Sequence, residues 1–538
     1  MSAIMEGQGI AYVSGNVFTA DNEGTWVEAF VVSESGIFAA VGTNDEILDL
    51  ARRQKLTTVD LQHRFVMPGI HDAHVHILLG SLATSSYLQP GMDATMTNIA
   101  SRLKSPECAC EHAHVFGDWV IGSLYRIDDF DRAALDVDYP DTPVVLRGGA
   151  GHAMFLNSAA LEKSGYSLHE PDALHEQFFR RADGSLTGEV TELAMTKAAL
   201  AIPKPEMAFV KRSITEGIGR LHSVGVTSFQ EAASNTTILK ALAELDASDE
   251  LKMDVQTHIV YKPEHLAEES FLTLHKTLDD AASFESKHVR TNFVKFMLDG
   301  VPLHPYYTHA GLTDTGEIDE SKIQIDDLAE AVARFDKRGM TCKIHCTGHG
   351  STRRALDVYE AVRKSNKDGP KHEIAHCSGV HEDEYPRFKQ LNVTAEMSPS
   401  MFFVHPITSM SNGLMDWNFG KMLQHGAHLT IGSDWTFQDP AILPSCALIL
   451  DSVAAALPDA TDVKRSAAEE ICRMLTKAGA VATGRESTVG TIAVGKKANF
   501  VMVNRDLSRG EFEGSQILQT WFEGKSVFEA KQSAQEAK

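Results

Sequence analysis

Between residues 69 and 434 the chain repeats one texture: a short apolar run with a polar residue near its end, followed by a stretch with helical spacing. Eight such runs stand in order: GIHDAHVH (69–76), VTSFQEA (226–232), DVQTHIVY (254–261), NFVKFMLD (292–299), MTCKIHC (340–346), HEIAHCS (372–378), NVTAEMS (392–398) and HLTIGSD (428–434). Helix-period segments such as IDDLAEAVARFDKRG after the fourth and STRRALDVYEAVRKS after the fifth separate them, the pattern of parallel strands joined by helical crossovers. The expected fold is therefore α/β, a (β/α)8 TIM barrel. In such a barrel the reactive groups gather at the carboxyl ends of the strands.

The interval between the first and second runs is too long for a structureless loop. Residues 81–215 are expected to form an inserted α/β subdomain over the barrel mouth, helical around TELAMTKAALA and extended at PVVLRG. At the two ends, IAYVSGNVFTA and WVEAFVVSESGIFAAVG, then GTIAVGKKANFVMVNRD and TWFEGKSVFEA, read as short strands broken by Asn, Gly and Asp turns. Chain ends often lie together, so residues 1–66 and 485–538 are expected to build one small β-sandwich beside a barrel of residues 67–80 and 216–484. A chain of 538 residues is long enough for all three parts.

A formal net charge of -23 speaks against binding nucleic acid or an anionic membrane surface, since either needs a basic face. A small molecule is the expected partner, and no apolar run is long enough to span a bilayer. The seven cysteines are odd in number and scattered, unlike a disulfide framework, and the N-terminus shows no basic and apolar secretory pattern. A cytoplasmic protein is expected.

Five of the eight runs end in a group that can serve a metal site: His74 and His76 on the first, Lys295 on the fourth, His345 on the fifth, His376 on the sixth and Asp434 on the eighth. Singly they say little. Two histidines two apart face one side of a strand and can share an ion, yet such a pair is more often structural. His345 or His376 alone reads as a core histidine, and Asp434 alone as a helix cap. The argument is that a barrel brings all six to one rim. Lys295 cannot bind a cation as an ammonium, but once carbamylated by carbon dioxide it becomes a carboxylate-like bridge for two ions. Paired metals suit hydrolysis by a metal-activated hydroxide. The run CACEHAH, with Cys108, Cys110, His112 and His114, is spaced too tightly for a structural zinc site and reads as a polar turn.

The ordered strings PGIHDAHVH, VKFMLDG, IHCTGHG, AHC, GSDW and GTIAVGKKANFVMV resemble the amidohydrolase superfamily, most closely its amidohydrolase-3 or YtcJ-like branch, and YPDTPVVLRGGAGHAMFLNSAAL and RRADGSLTGEVTELAM resemble that branch's insertion. The resemblance implies that His74, His76 and Asp434 hold one metal and His345 and His376 a second, with carbamylated Lys295 between them and zinc the expected ion. Asp434 would also be the general base, and Asp72 would orient the cluster. His152, Asn157, Glu189 and Glu192 in the insertion are candidate substrate contacts, His152 and Glu192 nearest the site. The chain departs from the family pattern at His349, where Asp is usual and a substrate contact is the expected role, and at Asn499. Met401, Phe402, Phe403 and His405 after the seventh run are either a hydrophobic substrate pocket, Phe402 foremost, or lid packing. The implied reaction is hydrolysis of a non-peptide C–N bond in an amide, formamide or cyclic amide. Deamination and ester or carbamate cleavage are alternatives at the same site, and a non-catalytic binding barrel is a further one. A homodimer is the family expectation.

Overall fold

A computed structural model describes residues 9–91, 93–105, 116–171, 174, 177–398, 410–411, 414–436 and 439–531. Eight parallel strands form one sheet in chain order: β1 (Ile70–Val75), β2 (Val226–Ser234), β3 (Asp254–Lys262), β4 (Val289–Met297), β5 (Thr341–Cys346), β6 (Glu373–His376), β7 (Thr394–Met397) and β8 (His428–Ile431). Each lies within or across one of the eight apolar runs. The sheet closes on itself through the Val75–Trp435 bridge and a hydrogen bond of 2.8 Å from Asp434 N to His74 O.

The crossover helices follow from their spacing. Helix Leu328–Lys337 buries Leu328, Ala331, Val332 and Phe335, an i, i+3, i+4, i+7 stripe. Helix His349–Ser365 buries Ala355, Leu356, Tyr359 and Val362. The Tyr359 hydroxyl bonds the carbonyls of Cys342 (2.9 Å) and Glu373 (2.8 Å), which locks the helix across β5 and β6.

The barrel interior departs from the branched apolar filling usual for this fold. Gln230, His258, Lys343, Glu373 and Thr430, from five different strands, are all at 0% exposure. Lys343 Nζ crosses the lumen to the carbonyl of Ala73 (2.7 Å) and pairs with Glu373 at 3.2 Å. A fully buried ammonium persists only with such partners, so a polar scaffold stands directly beneath the rim.

A four-stranded sheet of N-terminal residues faces a six-stranded sheet in which Phe65–Pro68 pairs antiparallel with Phe500–Val503. Tyr12, Phe30, Phe38, Val66, Phe500 and Trp521 fill the space between the two sheets. The outer face of the six-stranded sheet, with Phe65, Met67, Val501 and Val503, joins the barrel's own core. A third sheet of five strands occupies Val120–Thr191, between β1 and β2, and buries apolar residues on both faces. No helix among the described residues is long and apolar enough to cross a membrane.

Candidate metal centre and active-site cavity

His74, the penultimate residue of β1, is at 0% exposure and held from two sides. Its Nδ1–H donates to Glu396 Oε2 at 2.8 Å, which leaves the Nε2 lone pair free. That Nε2 has no hydrogen-bond partner and lies 3.6 Å from Asp434 Oδ1; His76 Nε2 reaches the same oxygen at 3.4 Å. Among the described residues two groups bring potential ligand atoms within 4.8 Å of one another: His74, His76 and Asp434, and His74, His376 and Glu396.

The other predicted residues adjoin these groups. The His376 ring lies 4.6 Å from that of His74 and 4.5 Å from that of His345, centroid to centroid. His345 donates Nε2–H to Gly300 O at 3.0 Å, so its free lone pair is on Nδ1. Lys295, 1% exposed, lines the same cavity as His76, His345, His376 and Asp434. Asp72 Oδ1 accepts from Ser433 N (2.8 Å) and His74 N (3.2 Å), tying β1 to the segment that carries Asp434. His376 and Asp434 have φ of 69° and 50°, and such left-handed non-glycine backbone is held only where the surroundings fix it.

The electrostatics agree with ligand chemistry. Burial above all holds His74, His345 and His376 below the usual histidine value, His376 at about 3, which keeps them neutral. Burial and then the nearby Lys343 ammonium bring the Lys295 amine down to about 8. For Asp434 burial acts upward, but the His76 hydrogen bond and the positive charge nearby, that of Lys295 included, outweigh it and hold the carboxyl ionised. Neutral imidazoles around a carboxylate, with a buried, unpartnered His74 Nε2 among them, are a donor set that fits a divalent cation.

The opposite wall comes from the insertion and from the turns after β3 and β4. His152 Nδ1–H donates to Glu192 (3.0 Å to Oε1), and its ring stands 5.6 Å from that of His345. Glu192, 1% exposed with φ of 47°, also accepts from Thr308 Oγ1 (2.6 Å) and Gln324 Nε2 (2.9 Å). A Cβ on Gly300 would lie 2.2 Å from Glu192 Oε1 and 2.1 Å from Thr308 Oγ1, so only glycine admits this network so near the rim. Asn157 and Glu189 play other parts: Asn157 caps helix Ser158–Lys163, and Glu189 accepts from Tyr306 at 3.1 Å.

His349 is not among the residues lining the cavity. Its ring meets His381 at 5.7 Å, because the backbone has already turned into helix His349–Ser365. Phe402, with Met401, Phe403 and His405, lies outside the described residues, as do Cys108, Cys110, His112 and His114. Three acids went unread in the sequence. Glu396 orients His74 and accepts from His376 N (3.0 Å); Glu231 lines the cavity and accepts from Ile77 N (2.8 Å). Asp299 gathers Ala310 N (2.9 Å), Gly348 N (3.1 Å) and Ser351 Oγ (2.6 Å), pinning the turns after β4 and β5.

The profile of the Amidohydrolase family matches residues 57–528. The chain belongs to this family. Among its amidohydrolase relatives, an N-substituted formamide deformylase of Arthrobacter pascens is 26% identical over 95% of this chain and 97% of its own. Among solved structures, an uncharacterized metal-dependent hydrolase from Pyrococcus furiosus superposes with a TM-score of 0.67 at 20% identity, covering 93% of this chain and 100% of that one. An atrazine chlorohydrolase from Arthrobacter aurescens, complexed with zinc, gives 0.53 at 13% identity, over 97% and 95% of the two chains. The span matched by the family, residues 57–528, takes in the barrel and the insertion alike.

Proposed function

We propose that this amidohydrolase uses a divalent metal, zinc, to hydrolyse a non-peptide C–N bond in an amide, formamide or cyclic amide. The observation that carries the reading is the approach of His74 Nε2 and His76 Nε2 to one Asp434 oxygen inside the cavity, at 3.6 and 3.4 Å. The formamide deformylase relative supports the bond type, and the zinc in a structural relative supports the ion.

His74, His76 and Asp434 would hold one ion, His345 through Nδ1 and His376 a second. Lys295 would bridge them as its carbamate: a buried amine held to about 8 has a neutral fraction that adds to carbon dioxide and loses a proton. When bound, divalent ions at such a site acidify water and polarise the scissile carbonyl. The chain's own residues do the rest. Asp434, ionised at neutral pH, takes up a proton at its carboxylate and returns it to the leaving nitrogen. His152, fixed through Nδ1 by Glu192, presents its other edge to the substrate beside His345. The described cysteines are all free and buried, in keeping with a reducing, cytoplasmic setting.

The test is metal content and hydrolysis measured together on purified protein, against a panel of formamides, amides, cyclic amides, amino-heterocycles, esters and carbamates. Amide or formamide hydrolysis that is lost on chelation and restored by zinc is expected, with Lys295→Ala losing metal and activity together. Full activity after chelation, or cleavage of esters alone, would overturn the reading.

A further inference from the structure

Away from the metal centre the charged side chains of the cavity wall are paired: Arg147 with Glu268, Lys204 with Glu269 (2.7 Å) and His152 with Glu192 (3.0 Å). His265 differs. It lines the cavity at 5% exposure, and neither its Nδ1 nor its Nε2 has a hydrogen-bond partner. His258 also has two unpartnered ring nitrogens, but it is sealed in the barrel lumen, whereas His265 faces a cavity that a ligand can enter. A buried donor or acceptor without a partner is destabilising, so a group that supplies one gains free energy there.

Its placement is rigid. His265 sits in the one-turn helix Glu264–Ala267 directly after β3, where Glu264 Oε1 accepts from Phe271 N at 2.7 Å. Beyond the helix, Glu269 accepts from Thr236 N (3.1 Å) and Thr236 Oγ1 (2.8 Å). Burial brings the imidazole down to about 4, so at neutral pH it offers one N–H and one lone pair. The cavity wall beyond the metal centre carries Leu78, Leu79, Leu82, Phe116 and Leu266.

We propose that His265 is a specificity-determining residue, which hydrogen-bonds an uncharged polar group carried on an otherwise apolar substituent of the substrate. A hydroxyl, ether or carbonyl meets this requirement. A charged group does not, since the ionic side chains of this wall already have partners. The inference rests on the hydrolase reading for the scissile group, and on the wall alone for the substituent.

The probes are N-(2-phenylethyl)formamide and its three ring-hydroxylated isomers, with the zinc-loaded full chain, His265→Leu and His265→Asn. At least one hydroxylated isomer is expected to exceed the parent compound about tenfold in kcat/KM, the range for one neutral hydrogen bond, chiefly through KM. The ratio falls to about one in His265→Leu and partly returns in His265→Asn. Because each ratio is taken within one preparation, a partly misfolded variant does not distort it. No preferred isomer, or a preference that survives in His265→Leu, overturns the inference. If none of the four is hydrolysed, their binding is measured by calorimetry. One isomer binding about tenfold tighter to the wild type but not to His265→Leu upholds His265 while the formamide reading falls; equal binding or none overturns it.

Discussion

On the barrel side of the cavity the candidate ligands stand at or just beyond the ends of strands, whereas on the facing side His152, Glu192 and His265 stand on turns. The first group inherits its convergence from strand register: Met297 pairs with His345, and Cys346 with His376, in a continuous parallel ladder. The second is held by side-chain bonds, with Glu192 alone accepting from His152, Thr308 and Gln324. The support behind them differs as well. Beneath the rim lies the buried Lys343–Glu373 pair, while behind the insertion wall lie Val145, Leu156, Leu161 and Ala198. Rigid strands with polar support suit a fixed reaction centre, and turns on an apolar base suit a wall fitted to a substrate.

That division fails first at Asp434. Asp434→Ala is expected to lower kcat/KM on the order of 10³-fold, since it removes a proton carrier, and to lower bound zinc as well. His152→Gln should lose rate with zinc content retained. If both variants lose zinc equally, the two walls do not divide the work. The next largest effect tests the support beneath the rim. Lys343→Met leaves Glu373 charged and unpaired at 0% exposure, and urea unfolding should show a loss of about 3–5 kcal/mol. Adding Glu373→Leu should recover most of it. A neutral single variant would mean that the pair contributes nothing to the scaffold.

How much of this was legible in the sequence follows the same division. The eight strands could be read because each is an apolar run too short for a helix, and their six reactive ends because a barrel allows one common rim. Glu396 could not, although Thr394 and Glu396 alternate as residues of one strand face must. A polar face ordinarily points to water, and only a barrel with Lys343 and Glu373 in its lumen turns it inward. His265 was illegible for another reason. Its surroundings are made by Leu78, Phe116 and Glu192, distant in sequence, and no local pattern encodes that meeting. His349 shows the converse, a histidine that a motif position suggested for the cavity and that the first turn of a helix carries to one side.

A smaller effect is expected at Glu396. Its Oε2 accepts from both His74 Nδ1 and His376 N, so Glu396→Ala frees a ligand ring and a strand end together. Zinc affinity, measured by competition with a chelator, should fall about 10- to 100-fold, and less in Glu396→Gln. Unchanged affinity would show that the strand ladder alone aims the rings.

The smallest expected effect is the sharpest test of independence, because it falls where the two walls touch. The Gly300 carbonyl accepts from His345 Nε2 on the rim, and its Cα leaves room for Glu192 and Thr308 on the other side. Thr308→Val keeps the shape of the side chain but removes the 2.6 Å bond to Glu192 and the 3.0 Å bond from Val301 N. Glu192 keeps His152 and Gln324, so the wall loosens without collapsing. A fall of about fivefold in kcat/KM is expected, since Glu192 keeps two of its partners and only part of the lost bonding reaches His152, with zinc content and affinity unaltered. If zinc affinity falls in step with rate, strain at Gly300 reaches His345, and the rim and the insertion wall form one coupled unit.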